Sequence, residues 1–480
     1  MVTYEVFADR IFPPASLTQM LGMEYDVLIV GSGAGGGAVL WRLCDRWRNN
    51  GMRIGMIEAG NLLLPAHAWN LAILSGGRAE KFVANPFATR YIGKTLPEFS
   101  GAKQIFALGG RTIQWAAVTP RMPLHVLARY PVPFKEMEKY YNIAEEVMKV
   151  TKPFIHNGAL TEIFLNLLRA NGFPEATHFP MAVDMKPTKY GEVHSNAYFS
   201  SIHFLAEAMN IKPFDLAVNA RAVQVLAEHG KANGVKVMSP DKTSYVLRAK
   251  NVVLSASTFE TPRLLLHSGI RGTAIGRYLI DHSAIRGTAI VKRKGFPEDL
   301  GPLDILVPET ADRPYQLEMY RRGRPSTEEV AIGINGYGLV EPRAENRIIL
   351  DPYRIDEYGL PVIQVNYSYT QQDLNVLREM TSAMRKAFSA IGAILVSVDG
   401  QPEIFLRPPG DDNHEAGSCR IGDDPATSAA DRYGQIHGVS GLYVADNSVL
   451  PSLGTNPTLT TVALAIRTAD YIVSKSQSSR

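Results

Sequence analysis

A histidine, an asparagine and a set of spaced glycines carry most of the chemistry that can be read from this sequence. His414 stands in DDNHEAGSCRIGDDP, Asp411 to Pro425, a polar run broken by glycine that no helix or strand period would bury. With an ordinary pKa of about 6.5, a loop imidazole can take or release a proton near neutral pH. Asn456 precedes Pro457 in GTNPTLTT, the order of a helix N-cap and a first helical residue. Its amide can therefore serve a helix start or a bound molecule. Gly31, Gly33 and Gly36 in VGSGAGGG fit G-x-G-x-x-G. The first lets a strand turn sharply, the second lets backbone approach a pyrophosphate, and the third lets a helix pack close.

Such a turn binds a dinucleotide only between a strand and a helix. Val27 to Val30 form a short β-branched apolar run, and Val39, Leu40, Leu43 and Trp47 then recur at helical spacing. MRIGMIEAG supplies a second strand ending on Glu58, an acceptor placed for ribose hydroxyls and unfavourable to a 2′-phosphate. The unit is a Rossmann strand, turn, helix and strand. NAD and FAD both use it. A second segment, ALGGRTIQWAAVTPR, has a glycine pair ending at Gly110, then Arg111, Gln114 and Trp115. Its composition suits a loop laid against another part of a cofactor, and equally a structural hairpin.

Further along, Met137, Tyr140, Tyr141, Ala144 and Val147 predict a helix, after a composition shift near Pro120. RAVQVLAE, GVKVMS and YVLRAKNVVLSAS predict an antiparallel insertion. TPRLLLHSG predicts a helix capped by Thr258 or Thr261 and closed by Gly269. From about 286 to 370, AIGINGYGLV, NRIIL and LPVIQVNYS read as a second, mostly antiparallel sheet, and residues 371 to 391 as an amphipathic helix. GLYVAD and NPTLTTVALAIRTADYIV return to a buried strand and helix, before a polar tail, SKSQSSR, expected to fray.

The chain has 480 residues, 45% of them apolar, enough for two or three domain-sized units. Lysine and arginine number 50 against 47 acidic residues and are scattered, which excludes the basic stripe that nucleic acid needs. The first twenty residues read as a structured arm rather than a signal peptide. No run approaches the roughly 18 apolar residues of a membrane span. Two cysteines, Cys44 and Cys419, are too few for a disulfide framework or a thiolate metal site. No metal is expected, and a reducing cytoplasm fits this usage.

Together these segments resemble the glucose–methanol–choline (GMC) oxidoreductase family of FAD enzymes. The resemblance runs through DVLIVGSGAGGG, LGGRTIQW, NVVLSASTFETPRLLLHSGI, IGRYLIDH and VEPRAENRIILDP, and is most specific in HEAGSCRIG and GLYVADNSVLPSLGTNPTLTT. It implies an α/β fold: a Rossmann-type FAD-binding domain over 20–120, 195–285 and 405–475, and a substrate domain built on a mostly antiparallel sheet over 121–194 and 286–404. It also implies His414 as catalytic base and Asn456 as its partner at the flavin. The pyrophosphate would lie at the Gly31 loop and the ribose at Glu58. The backbone near Val223 and Ala256 would hold the adenosine half, with Asp446, Pro457 and Thr458 by the ribityl chain and pyrimidine edge.

Within the family the GG…W…PR loop is most similar to sugar-oxidising members of the pyranose-oxidase kind. Some of those carry a flavin-tethering histidine before the tryptophan, where this chain has Gln114, so FAD is expected to be non-covalent. The expected reaction is oxidation of a CH–OH group of a sugar, glycoside or polyol, with oxygen, a quinone or a protein as electron acceptor. A base is needed because the flavin N5 accepts the hydride and not the hydroxyl proton. A lyase using the same scaffold and a flavin subunit of a larger complex are the rival readings. His282 and His437 read as structural, and Arg420 as a brace to a carboxylate.

Overall fold

The computed structural model describes residues 15–71, 74, 78–92, 97–151, 158–185, 198–323 and 328–478. The expected N-terminal arm lies almost wholly outside them, as do residues 186–194 of the expected substrate domain. In chain order the elements that build the site begin with β1 (Glu24–Val30), α1 (Ala34–Arg46), β2 (Ile54–Ile57), α2 (Phe134–Val147) and α3 (Ser201–Ile211). Then come β3 (Asp215–Ala217), β4 (Arg221–Glu228), β5 (Lys231–Met238), β6 (Ser244–Leu254) and α4 (Ser257–His267). The second half adds β7 (Ser283–Lys292), β8 (Asp304–Val307), β9 (Tyr315–Arg322), β10 (Glu329–Gly338), α5 (Gln371–Ala390), β11 (Leu442–Val444) and α6 (Thr458–Ser478).

The first sheet runs β3-β2-β1-β6-β5-β4. β1, β2 and β3 are parallel, and β6 joins them in parallel while its first half pairs antiparallel with β5. The second half of β6 is flanked by β11, which returns to the same sheet from the far end of the chain. Thus β6 carries the inserted hairpin and the parallel core together. β1 is buried from Tyr25 to Val30 at the centre of the parallel sheet, the reason its sequence is almost continuously apolar. α1 packs against α3 and α6.

Glycines permit this packing. Gly31 has φ +97°, and a Cβ on Gly36 would stand 2.0 Å from the Gly31 carbonyl oxygen. Gly35 is tighter: its Cβ would meet the Ala445 carbonyl at 1.7 Å, where the chain leaves β11. Gly35→Ala should therefore push α1 off the strand and lower the thermal midpoint by an amount equivalent to ~1–3 kcal/mol or more. Unchanged melting would contradict this contact.

The second sheet, β7-β10-β9-β8, is antiparallel throughout, as expected. α5 covers one face, with Met384 and Met380 filling the space above Gly287 and Gly336. Strand alternation sends Gln316, Glu318, Asn335 and Tyr337 to the opposite face, where Gln316, Glu318 and Tyr337 are buried. That polar face roofs the site.

Several local expectations change. NRIIL and LPVIQVNYS do not join the second sheet; Arg347–Ile355 and Pro361–Asn366 pair with each other as a separate two-stranded hairpin, with a single bridge from Arg347 to Arg277. Thr258 and Thr261 lie inside α4, whose N-cap is Ala256. Their hydroxyls are spent on other segments, Thr258 on the Glu415 carbonyl and Thr261 on Asp446. The tail is helical as far as Ser478.

Candidate active site

A cavity of about 480 Å³ opens between the two sheets. The glycine turn forms its floor. A Cβ on Gly33 would meet nothing within 4 Å, so this backbone is open to a ligand, while Gly36 faces away and packs on the turn. The LGGR segment closes over it, Gly110 lying against Gly33. Ser32 ties the pieces together: its amide and hydroxyl donate to Glu58 Oε2 at 3.0 and 2.7 Å, and its hydroxyl accepts from the Gly109 amide. Glu58 Oε1 accepts from the Gly60 amide at 2.9 Å. Burial pushes this carboxyl up, against those hydrogen bonds and the Arg221 charge.

Arg111 reaches from the LGGR segment to the histidine loop. It donates from both terminal nitrogens to the fully buried Glu415, at 2.5 and 3.3 Å, and to the carbonyls of Asn413 and Lys103. The run expected to lie exposed is instead buried from Glu415 to Cys419, because its polar groups are paired. Ser418 donates to the Thr258 carbonyl, and Ile280 and Ala416 exchange backbone hydrogen bonds. This last pairing brings Asp281 and His282 beside the histidine loop.

His414 Nδ1 consequently stands 3.0 Å from His282 Nδ1, with Asp412 Oδ2 3.7 Å from each nitrogen. Tyr337 packs against both rings. Burial drives the His414 pKa down to about 3; Asp412 opposes this, and His282, Arg407 and Arg111 add to it. Burial would raise Asp412, but His282, His414 and Asp281 outweigh it and hold the carboxyl below the usual carboxylate range. Asp281 goes the other way, raised by burial and by Asp412 and Glu415.

Asn456 lies across the cavity wall from the sheet. Its Oδ1 accepts from Gln316 Nε2 at 2.9 Å, and Gln316 Nε2 also donates to Glu318 at 3.0 Å. The expected cap is not made: α6 starts at Thr458, with the Thr461 amide bonded to the Pro457 carbonyl, and the Asn456 oxygen is taken by Gln316. Burial lifts Glu318 to about 7, with Asn456 and Arg407 opposing and Asp412 reinforcing the shift. The folded chain then holds a proton that the unfolded chain loses near pH ~4.3, so stability should fall as pH rises from there to about 7. Glu318→Gln should flatten that decline, on the order of 3 kcal/mol, in denaturant titrations at successive pH.

His414, Asn456, Gly31, Gly33, Glu58 and Gly110 all line this cavity, as do Arg111, Gln114, Trp115, Ala256, Asp446 and Thr458. Gly36, Val223 and Pro457 do not; Ala220 to Ala222 line the wall where Val223 was expected. Asp446 lines it, but its carboxylate is filled by Ser257, Thr261 and two bonds from Ser448, so it braces loops. Arg420 finds no carboxylate: it donates to the Thr427 carbonyl and lies over the Tyr278 ring. His437 is structural, bonded to Ser428. His282, expected to be structural, meets His414 at 3.0 Å, and Asp412, Glu318 and Tyr337, which line the cavity, were not singled out in the sequence. The adjacent Asp281 and His282 in LIDHS, and the inward phase of Glu318 in its strand, were the available signals.

The fold is a Rossmann-type α/β arrangement whose glycine turn leaves the backbone at Gly33 open to the cavity, the class of site that binds dinucleotides. Family models described as GMC oxidoreductase match residues 108–284 and 342–465. The chain belongs to the GMC oxidoreductase family, whose members act on CH–OH groups, and membership implies FAD. It is 29% identical over 394 residues to C-glycoside 3-oxidase of Arthrobacter globiformis, covering 76% of this chain and 73% of that one. It is 26% identical over 268 residues to pyranose 2-oxidase of Tricholoma matsutake, 47% of each chain. The fold is similar to that of pyridoxine 4-oxidase from Mesorbium loti, with TM-score 0.65 at 15% identity over 93% of this chain and 99% of that one. Among the described residues no helix is long and apolar enough to cross a membrane.

Proposed function

We propose that the chain oxidises a CH–OH group of a sugar, glycoside or polyol, with His414 taking the hydroxyl proton and Asn456 hydrogen-bonding the alkoxide. The observation that carries this is the lining of one cavity by both residues together with the glycine turn. FAD, when bound, supplies the acceptor for the hydride at N5. Gly31, Gly33 and Glu58 would hold its pyrophosphate and ribose, and Gly110 and Trp115 its flavin half. The start of α6 at Thr458 would aim its positive end at the cavity and favour negative charge there.

His414 is neutral at physiological pH, the state a base requires, and its Nδ1 contact leaves Nε2 for the substrate. The sugar class rests on the oxidases of C-glycosides and pyranoses to which the chain is similar. The polar face of the second sheet supports it by offering hydrogen bonds to several hydroxyls. The FAD-binding domain is proposed over 20–120, 195–285 and 405–475, with 121–194 and 286–404 as the substrate domain. The two buried free thiols suit a reducing cytoplasm.

The test is an anaerobic panel of sugars, glycosides and polyols monitored by flavin absorbance. At least one should bleach the cofactor; a holoenzyme that none reduces overturns the reading. Gln114 has no ring nitrogen to bond the flavin, so acid precipitation should leave FAD in the supernatant, and a yellow pellet would show a covalent link.

A further inference from the structure

Of the polar groups around His414, His282 does not line the cavity, whereas Asp412 does. Nδ1 of His414 and Nδ1 of His282 are 3.0 Å apart, a distance that admits one hydrogen, so one ring donates and the other accepts. His282 and Asp412 are each 1% exposed at the side chain, and the two rings meet edge to face at 5.1 Å. Neither can turn without opening packed structure. If His282 donated, neutral His414 would carry its proton on Nε2 and could not take another from an alcohol. A base at Nε2 needs the reverse: Nδ1–H on His414, accepted by His282 Nδ1, with the proton of His282 on its own Nε2, a buried nitrogen that has no hydrogen-bond partner here.

The carboxylate supplies the second observation. Asp412 Oδ2 is buried 3.7 Å from both ring nitrogens, and His282, His414 and Asp281 favour its ionised form, so positive charge on either ring is stabilised beside it. The charged and titratable groups around the pair are Asp281, Glu415, Glu318, Arg111, Arg407, Tyr337 and Tyr369. Burial and the two arginines oppose a lasting charge on His414. Asp281, raised by its burial and by Asp412, leaves Asp412 as the negative charge of the two.

Building on His414 as base, we propose that His282 and Asp412 form a proton relay behind it. As the substrate O–H bond breaks and Nε2–H forms, the Nδ1–H of His414 passes to His282 Nδ1. The products are neutral His414 and a His282 imidazolium beside the Asp412 carboxylate. One proton moves through the relay; the electron pair leaves with the carbon-bound hydride. His282 and Asp412 are thus positioning residues, which hold the tautomer of His414 and receive its proton.

The donor atoms of His282, Asp412 and His414 lie within 4.8 Å of one another, a spacing that a divalent cation could use. A metal on these Nδ1 atoms would leave the His414 proton on Nε2 and disable the base. Relay and bound metal therefore exclude each other.

The experiment compares anaerobic flavin reduction in the wild-type, His282→Gln, Asp412→Asn and His414→Ala holoenzymes across pH, with flavin spectra and melting as controls of folding. The Gln oxygen can accept Nδ1–H and keep the tautomer, but it cannot hold the proton. His282→Gln should reduce ~10²-fold more slowly, with KM changed by less than about threefold and a residual rate that climbs with pH as hydroxide replaces the relay. Asp412→Asn should move the same way and serves if His282→Gln fails to fold. Wild-type rates and pH profile in either folded variant, or stoichiometric zinc in active holoenzyme, would overturn the relay. His414→Ala separates the two readings: unchanged reduction there removes the base itself, whereas slow reduction there with fast His282→Gln removes only the relay.

Discussion

His414→Ala is expected to slow anaerobic bleaching of the flavin by ~10²–10⁴-fold while leaving the cofactor bound. An alcohol hydroxyl holds its proton tightly at neutral pH, so loss of hydride from carbon needs a positioned acceptor for that proton. The imidazole lines the same cavity as Asn456, and among the described residues no other histidine does. Its depressed pKa means that protonation should not silence it between pH 5 and 8. The measurement is the single-turnover reduction rate at saturating substrate. Retained flavin absorbance shows that the glycine loop, on a separate element, is intact. A rate within about threefold of wild type would contradict the assignment.

The second large effect is expected at Arg111. Its guanidinium is the charge partner of Glu415, which is fully buried next to His414, and its other bonds hold the carbonyls of Asn413 and Lys103. Arg111→Met strands a carboxyl in low dielectric and should cost ~3–5 kcal/mol of stability. Burial already raises Glu415 and Arg111 opposes it; without the arginine the carboxyl rises further and stays protonated in the fold. The folded variant would then bind a proton that the unfolded chain releases, so its deficit should widen as pH increases above the usual carboxylate range. Arg111→Met with Glu415→Gln should recover most of the loss, since a neutral amide needs no counter-charge. Equal melting of the wild type and the single variant would show the pair to be dispensable.

Hydrogen bonds and burial also explain what escaped the linear reading. The LIDHS turn gave His282 no visible partner, because its neighbour His414 is 132 residues away. Backbone pairing of Ile280 with Ala416, with the Gly410 amide bonded to Asp281, brings them together. Glu318 lies in YQLEMYRR, a segment that was not singled out in the sequence. It is buried because β9 lies between β8 and β10 with its polar face turned to the cavity. Asn456 before proline matched a helix cap, yet Gln316, 140 residues away, takes the amide oxygen. NRIIL and LPVIQVNYS had strand composition, which sets no partner, and they formed their own hairpin.

What the amino-acid order determined by itself was local. The Rossmann turn was legible because strand, glycines, helix and acidic strand end fall within about thirty residues, where φ, side-chain period and chain reach decide the outcome. The motif around His414 and the start of α6 were likewise recognisable as short strings. Tertiary structure decided which strings meet: the β6 and β11 pairing that returns the C-terminal segment to the glycine loop, the Arg111 and Glu415 bond, and the His282, Asp412 and His414 cluster. Contacts between distant segments depend on how sheets and helices pack in three dimensions. No periodicity in a single strand or loop encodes that packing.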